Sequence, residues 1–315
     1  MNTSLNKPVI FLMGPTASGK TDLAIKLSNQ IDTRLISVDS ALIYKEMDIG
    51  TAKPSKKILE QYPHYLVDIC KPDEAYSAND FTRDAKLQID KAFIKNQTPL
   101  LVGGTSFYFN ALEYGLSNLP ESTKDSRDKF AKLLQKNGPN KLHSMLSDID
   151  PISAKRIHPN DSQRVTRALE VFDISGESLS DLQGSKKSII NNPIIKIILM
   201  PDRGVLHQRI EKRFLSMIDD GFINEVESLF TNNPNLNDSF PSVRCVGYRQ
   251  VWNYLKGEID KDEMIERAII ATRQLCKRQS TWLNSEKDAL IIRDLDEKKA
   301  LDYILKLSNK FISGA

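Results

Sequence analysis

The sequence predicts an α/β fold in which a parallel sheet is flanked by helices and interrupted by an all-helical insertion. Short apolar segments alternate with helical patterns through most of the chain, which is typical of strands buried on both faces between crossover helices. Between residues 119 and 189 this alternation stops, and segments with one apolar and one polar face replace it. We therefore expect a core domain formed by 1–118 and 190–315 and a helical insertion domain formed by 119–189.

Each element is predicted from its own pattern. Continuous apolar runs predict strands, and apolar positions that recur every three or four residues predict helices. The predicted strands are Val9–Met13, Arg34–Val38, Pro99–Val102 and Ile194–Leu199. The predicted helices are Thr21–Leu27, Asp80–Lys95, Lys129–Gln135, Gln163–Phe172, Arg203–Ile218, Ile223–Phe230, Val246–Leu255 and Asp262–Leu283.

The composition excludes several classes of protein. With 40% hydrophobic and 27% charged residues among 315, the chain is neither fibrous nor wholly disordered. Three cysteines without a CxxC pair, and four histidines without zinc spacing, predict neither a disulfide framework nor structural zinc. The first apolar run is too short to span a bilayer, so we expect a cytoplasmic protein that does not contact membranes. A net charge of +3 means that any nucleic-acid site must be local.

A phosphate-binding motif follows the first predicted strand and precedes the first predicted helix. Its pattern is G-x-x-x-x-G-K-[ST], and this strand-to-helix context makes the core similar to P-loop NTPases. The backbone N–H groups and the lysine would surround a phosphate chain, and the threonine hydroxyl would bind Mg²⁺ that bridges the phosphate oxygens. The residues are Gly14, Pro15, Thr16, Ala17, Ser18, Gly19, Lys20 and Thr21.

The motif leaves the reaction open. Diphosphates and triphosphates bind alike, so a kinase, an NTPase and a transferase that eliminates diphosphate all fit. Asp39, at the end of the second predicted strand, lies where ligands gather in parallel sheets. Its carboxylate could hold Mg²⁺ through water, act as a general base, or cap the following turn.

Eight segments in chain order carry a resemblance to a known family. They are Gly14-Pro-Thr-Ala-Ser-Gly-Lys-Thr21, Val38-Asp-Ser40 with Tyr44, Ile49-Gly-Thr-Ala-Lys-Pro54, Pro63-His-Tyr-Leu-Val-Asp68, Gly103-Gly-Thr105, Gln163-Arg-Val-Thr-Arg-Ala-Leu-Glu170, Arg244-Cys-Val-Gly-Tyr-Arg249 and Lys277-Arg-Gln-Ser-Thr-Trp282. In these segments the chain resembles the tRNA dimethylallyltransferases, also called tRNA isopentenyltransferases. The resemblance implies transfer of a dimethylallyl group from dimethylallyl diphosphate to N6 of the adenosine just 3′ of the anticodon in tRNA.

The resemblance also implies roles for four residues. Asp39 aligns with the family's catalytic aspartate and would take the proton that the adenine amine sheds. Lys20, with Mg²⁺ and the loop amides, would stabilise the diphosphate that leaves. Thr105 resembles a threonine at the reaction channel, and Arg213 an arginine that contacts the diphosphate. The chain departs from the family pattern at 106–107, where serine and phenylalanine replace glycine and leucine.

On the RNA side, the resemblance implies contact with the anticodon stem-loop and a target adenine flipped into a channel that leads to the phosphate loop. Arg164 and Arg167 share a helix face that would point away from the core of the insertion. The residues expected to contact tRNA are Asp39, Ser40, Ala41, Leu42, Thr105, Arg127, Gln163, Arg164, Val165, Thr166, Arg167, Arg244, Cys245, Val246, Gly247, Tyr248, Arg249, Lys277, Arg278, Gln279, Ser280, Thr281 and Trp282.

Three other readings compete with this one. An isopentenyltransferase that acts on free adenine nucleotides is opposed by the chain length and by the segments from Arg244 to Trp282. A small-molecule P-loop kinase would turn over ATP and bind no tRNA. An RNA-binding module that uses nucleotide as a switch would need a second switch motif, and none is evident. We expect the protein to be a monomer.

Overall fold

The computed structural model describes residues 7–184, 187–294 and 296–313. The chain divides into two compact units. We call Met1–Glu113 with Ile189–Ala315 the core unit and Tyr114–Ser188 the helical unit.

The core unit contains a six-stranded sheet in which every pairing is parallel. In sheet order the strands are β3, β2, β4, β1, β5 and β6. The continuous apolar runs form its interior, and all five residues of β1 are buried. The prediction of a parallel α/β sheet is thus confirmed. The strands are β1 (Val9–Met13), β2 (Thr33–Val38), β3 (His64–Tyr65), β4 (Thr98–Gly103), β5 (Ile194–Leu199) and β6 (Ala289–Ile292).

The two edge strands, β3 and β6, were not predicted. β3 has only two residues, both partly exposed, and β6 has one fully buried residue among four. Edge strands need not be apolar on both faces, so neither carries the continuous run that marks an interior strand. Their place depends on pairing with β2 and β5, which a local pattern does not show.

The helices largely follow the predicted periodicity, with ends that differ by a few residues. Helices at 56–61, 106–114, 151–156, 179–182 and 297–313 were not among those predicted. In chain order the helices are α1 (Lys20–Ser28), α2 (Lys56–Gln61), α3 (Ala78–Ile94), α4 (Ser106–Tyr114), α5 (Lys124–Ile149), α6 (Pro151–Arg156), α7 (Ser162–Ser175), α8 (Leu179–Leu182), α9 (Arg203–Asp219), α10 (Phe222–Asn232), α11 (Tyr248–Leu255), α12 (Lys261–Leu283) and α13 (Glu297–Ser313).

The helical unit has its own small core, in which α5 packs against α7. Phe130, Leu142 and Leu146 of α5 are buried with Val165 and Leu169 of α7. α5 is broken in the middle by a glycine with φ of +73°, followed by a proline. This break explains why periodicity alone predicted only part of α5.

A close approach between β2 and β4 positions the loops that follow them. Val38 and Gly103 are register partners, and a Cβ at Gly103 would lie 2.0 Å from the carbonyl oxygen of Val38. Only glycine fits there. The residues after these strand ends, including Asp39 and Thr105, are thereby brought together at the carboxyl edge of the sheet, beside the loop that follows β1. Among the described residues, no helix is both long and apolar enough to cross a membrane.

Candidate active site

A cavity of about 580 Å³ opens at the carboxyl edge of the sheet in the core unit. Ligands bind at this edge in parallel α/β sheets. Its lining combines the phosphate loop, the loops after β2 and β4, and residues of α9 and α12. Lys20, Asp39, Thr105 and Arg213 all line it, so the four predicted catalytic residues share one space.

The phosphate loop turns tightly before α1 begins and packs against the end of β5. Gly19 has φ of +93° and Ala17 has φ of +63°, and a Cβ at Gly14 would lie 2.6 Å from the carbonyl oxygen of Leu199. No side chain caps the start of α1. Its first N–H groups therefore remain available to an anion, as in other helix N-terminal phosphate sites.

Three cationic side chains donate hydrogen bonds to this loop. Lys20 donates from Nζ to the carbonyl oxygen of Pro15 at 2.7 Å, and Arg213 donates to Oγ1 of Thr16 at 2.5 Å. Arg209, one turn before Arg213 on α9, donates to the carbonyl oxygen of Ser18 at 3.4 Å. These two arginines are four residues apart on one face of α9, and both reach the phosphate loop.

Burial lowers the pKa of both Lys20 and Arg213. Desolvation lowers the pKa of Lys20 to about 8, with Arg213 adding to the effect and Asp39 opposing it. Desolvation also lowers the pKa of Arg213, and Asp39 again opposes the shift. A buried positive cluster of this kind favours an anion, because the bound anion would compensate the cost of removing the cations from water.

Asp39 and Thr105 also line the cavity, and both accept hydrogen bonds from the loop that follows β2. The Oδ1 atom of Asp39 accepts hydrogen bonds from the N–H groups of Ala41 at 2.8 Å and Leu42 at 3.3 Å. Oγ1 of Thr105 accepts from the N–H group of Ser40 at 3.1 Å. The turn-capping role considered for Asp39 is therefore present, and it leaves the carboxylate in the cavity lining. Thr105 uses its hydroxyl on the 40–42 loop instead of capping α4.

Gln279 of α12 joins the two sides of the cavity. Its Oε1 atom accepts from the N–H group of Thr16 at 2.9 Å, and its Nε2 atom donates to the carbonyl oxygen of Gly104 at 2.9 Å. A Cβ at Gly104 would lie 2.5 Å from that Nε2 atom. The resemblance predicted Gln279 as an RNA contact, but its amide is already used to link the phosphate loop to the loop after β4.

The loop at 48–50, whose Gly50 lines the cavity, is held by a carboxylate that the sequence did not predict. Glu225 of α10 accepts from the N–H groups of Asp48 at 2.9 Å and Ile49 at 2.7 Å, and from Tyr248 Oη at 2.5 Å. The adjoining Gly50 leaves no room for a side chain against Phe222. Glu225 is 175 residues or more from this loop in sequence, so no local spacing could connect them.

The residues expected to contact RNA fall into three groups. Exposed residues include Arg244, Arg249, Lys277, Arg278 and Thr281 in the core unit, and Arg127, Gln163 and Arg164 in the helical unit. Lining the cavity are Ser40, Ala41, Leu42, Cys245, Val246 and Gly247, together with Asp39 and Thr105. The third group is buried or only partly exposed: Val165, Thr166, Arg167, Tyr248, Gln279, Ser280 and Trp282. Arg244 of the first group and Tyr248 and Gln279 of the third also line the cavity.

Contacts inside the protein occupy several residues of the third group, so these residues need not bind RNA. Tyr248 is buried with its hydroxyl on Glu225, and Trp282 packs against the main core of the sheet. Val165 is fully buried. The expectation that Arg167 points away from the insertion core is wrong, because it donates to the carbonyl oxygen of Pro120 at 2.7 Å. Spacing identified the helix face correctly for exposed Arg164 but could not show what packs beside Arg167.

Comparison with known protein families gives a match over most of the chain. The family model for IPP transferases matches residues 42–286. The chain belongs to this family. The match begins just after the phosphate loop and Asp39, so the site described above extends beyond the matched range.

Relatives of this family cover almost the whole chain. A tRNA dimethylallyltransferase of Ruthia magnifica subsp. Calyptogena magnifica is 64% identical over 304 residues, which is 96% of this chain and 99% of that protein. Another, of Alkalilimnicola ehrlichii, is 48% identical over 308 residues, covering 98% and 96%.

Solved structures of the family have the same fold. The full-length tRNA isopentenylpyrophosphate transferase of Bacillus halodurans has a TM-score of 0.69 at 32% identity and covers 97% of each chain. A eukaryotic dimethylallyltransferase acting on tRNA has a TM-score of 0.77 at 26% identity, covering 98% of this chain and 80% of its own.

Binding of dimethylallyl diphosphate should take up protons just above pH 8. Lys20 has a pKa of about 8 in the free protein, and a bound anion raises it. This contribution to affinity is full below pH 8 and is lost progressively as the pH rises from the pKa of the free protein to the higher pKa of the complex. Calorimetry in buffers of different ionisation enthalpy at about pH 8.5 measures the uptake.

Lys20→Arg is the control, because arginine keeps the charge without titrating in this range. Equal proton uptake by the wild type and Lys20→Arg would contradict the assignment to Lys20.

Gln279→Leu should weaken diphosphate binding by roughly tenfold or more, since it removes two hydrogen bonds that shape the phosphate loop. Lys277→Ala is the matched control, because Lys277 is exposed on the same helix. Titration calorimetry with inorganic diphosphate compares them. If Gln279→Leu binds as tightly as Lys277→Ala, the link between the loops does not shape the site.

Proposed function

We propose that the chain transfers a dimethylallyl group from dimethylallyl diphosphate to N6 of the adenosine just 3′ of the anticodon in tRNA, with release of diphosphate. The observation that carries the proposal is the shared cavity, where a positively charged phosphate loop faces the carboxylate of Asp39. The family relatives, named as tRNA dimethylallyltransferases, support the same reaction.

The donor side suits a diphosphate leaving group. Lys20, Arg213 and the uncapped N–H groups of α1 lie around one loop, so they stabilise the negative charge that develops as the allylic C–O bond breaks. Because the cations are desolvated, their effect on that charge is stronger than it would be in water. Phe214 and Met217, on the turn of α9 that follows Arg213, add apolar surface to the cavity for the hydrocarbon part of the donor.

Mg²⁺ is part of the proposal, and the residues present fit it. The hydroxyl of Thr21 directly follows Lys20 in the cavity lining and has no hydrogen-bond partner within the described part of the chain. Hydroxyl, phosphate and water oxygens are the ligands Mg²⁺ prefers, so no cluster of protein carboxylates is needed. When bound, the ion would neutralise phosphate charge and orient the diphosphate.

On the acceptor side, Asp39 is the proposed general base. The N6 amine forms a bond to the allylic carbon and must lose one of its protons, which a carboxylate in the cavity can accept. The N–H groups of Ala41 and Leu42 hold Oδ1, which fixes the orientation of the carboxylate. Thr105 holds the same loop through Ser40.

The substrate must enter the cavity as a flipped base, because the amine of a stacked adenine cannot reach Asp39. The volume of about 580 Å³ lies within the usual range of ~300–1,000 Å³ for ligand pockets, so the donor and one base can share it. Filling the cavity in this way also excludes water that would capture the allylic cation.

Exposed cations are proposed to contact the tRNA backbone. Lys277 and Arg278 of α12 are exposed and make no ion pair among the described residues, so they remain available to phosphates. Arg249, also exposed and close in sequence to the cavity-lining residues 244–248, is the proposed contact with loop bases. In the helical unit, Arg127 and Arg164 present further exposed cations.

Asp39→Asn should lower kcat by ~10² or more with little change in donor affinity, since the amide keeps the shape but cannot take the proton. Purified protein is incubated with labelled dimethylallyl diphosphate and bulk tRNA, and digestion with mass spectrometry locates the label on N6.

Asp22→Asn, which changes an exposed carboxylate at the cavity rim, serves as the matched control. Full turnover by Asp39→Asn at saturating substrates would exclude Asp39 as the base. If the wild type leaves tRNA unlabelled but turns over ATP with a small-molecule acceptor, the kinase alternative replaces the proposal.

A further inference from the structure

Four tyrosines line the cavity, and they differ in whether the hydroxyl group has a hydrogen-bond partner in the protein. Tyr76 donates to Oδ2 of Asp84 at 3.0 Å, and Tyr248 donates to Glu225. Tyr44 and Tyr108 have no hydroxyl partner within residues 7–184, 187–294 and 296–313, although they are only 1% and 5% exposed. Neither hydroxyl is sealed inside the protein, so both remain accessible from the cavity, and a ligand bound there can complete their hydrogen bonding.

Tyr108 is the better placed of the two for the acceptor. It lies in the first turn of α4, and its N–H group donates to the carbonyl oxygen of Thr105 at 3.0 Å. Its ring stacks on Phe81 with centroids 4.1 Å apart and planes 8° apart. Because the backbone and the ring are both held, the hydroxyl has a fixed position in the cavity, where the charge of Asp39 acts on it.

The hydroxyl keeps its proton under ordinary conditions. Burial raises the pKa of Tyr108, and the negative charge of Asp39 raises it further. The acceptor side of the cavity therefore offers a carboxylate that accepts hydrogen bonds and a phenol that donates one. An adenine presents the complementary pattern, since its amine donates while the ring nitrogens on either side of it, N1 and N7, accept.

We propose that the Tyr108 hydroxyl donates a hydrogen bond to one of the two ring nitrogens that flank N6 of the target adenine. This inference rests on the proposed function. The contact holds the base in the orientation that directs its amine toward Asp39, so Tyr108 is a further catalytic residue of the acceptor site. A guanine in the same place would present a carbonyl oxygen to the carboxylate and would be rejected.

The test combines Tyr108→Phe with altered target bases. Anticodon stem-loops carry adenosine, 1-deazaadenosine or 7-deazaadenosine at the target position, and kcat/KM is measured for each. Tyr108→Phe should lose about tenfold on adenosine, as for one hydrogen bond. One analogue should slow the wild type by a similar factor without slowing Tyr108→Phe further, while the other analogue has an additive effect.

Only non-additivity supports the contact, because deletion of a ring nitrogen also changes the basicity of the amine. Additive effects of both analogues would overturn the proposal, as would undiminished rates of the wild type on both. The second result requires no variant, so the test holds even if Tyr108→Phe folds poorly.

Two further measurements separate the other roles of the cavity. Tyr108→Phe should bind inorganic diphosphate with unchanged affinity, and a weakened affinity would assign the hydroxyl to the donor and overturn the proposal. Tyr44→Phe should be additive with both analogues, and non-additivity there instead of at Tyr108 would also overturn it. Absence of any transfer by the wild type to the adenosine stem-loop would contradict the proposed function itself, independently of Tyr108.

Discussion

The arrangement of the site depends on two desolvated cations held beside one phosphate loop. Lys20 and Arg213 repel each other, and Asp39 is the carboxylate that offsets this repulsion. The free protein therefore keeps an unfavourable concentration of positive charge at the start of α1. A bound diphosphate would neutralise this positive charge, so the same cations favour both binding of the donor and formation of the leaving group.

This charge cluster can be maintained only because hydrogen bonds fix the loops around it. Arg213 and Gln279 both hold Thr16, one through the hydroxyl and the other through the N–H group. Gln279 also donates to the carbonyl oxygen of Gly104. The neighbouring Thr105 accepts from the N–H group of Ser40, beside Asp39. One continuous series of hydrogen bonds thus links the phosphate loop to the loop that carries Asp39, which explains how the distance between a diphosphate and a base can be set by the protein itself.

The sequence predicted those features whose signals are local. The phosphate loop has a fixed spacing between a strand and a helix, and the interior strands are continuous apolar runs, so both were found with nearly correct limits. The strand ends also placed Asp39 near Thr105, because parallel strands share one carboxyl edge.

What the sequence could not show were the partners that arrive from distant segments. Tyr248 and Trp282 were expected to contact tRNA, but Tyr248 packs against Phe222 and Trp282 packs against the core of the sheet. Glu225 resembles any surface glutamate in a first helical turn until the 48–50 loop folds onto it. A helix face can be predicted from periodicity, whereas the identity of the group packed against it depends on tertiary contacts.

The most direct test of the account is a crystal structure with a non-hydrolysable analogue of dimethylallyl diphosphate and an anticodon stem-loop. The account predicts diphosphate oxygens within hydrogen-bond distance of Lys20 and the first N–H groups of α1, and a flipped adenine whose N6 lies beside the Asp39 carboxylate. A diphosphate bound away from residues 14–21, or an adenine that remains stacked in the loop while the donor fills the cavity, would contradict it.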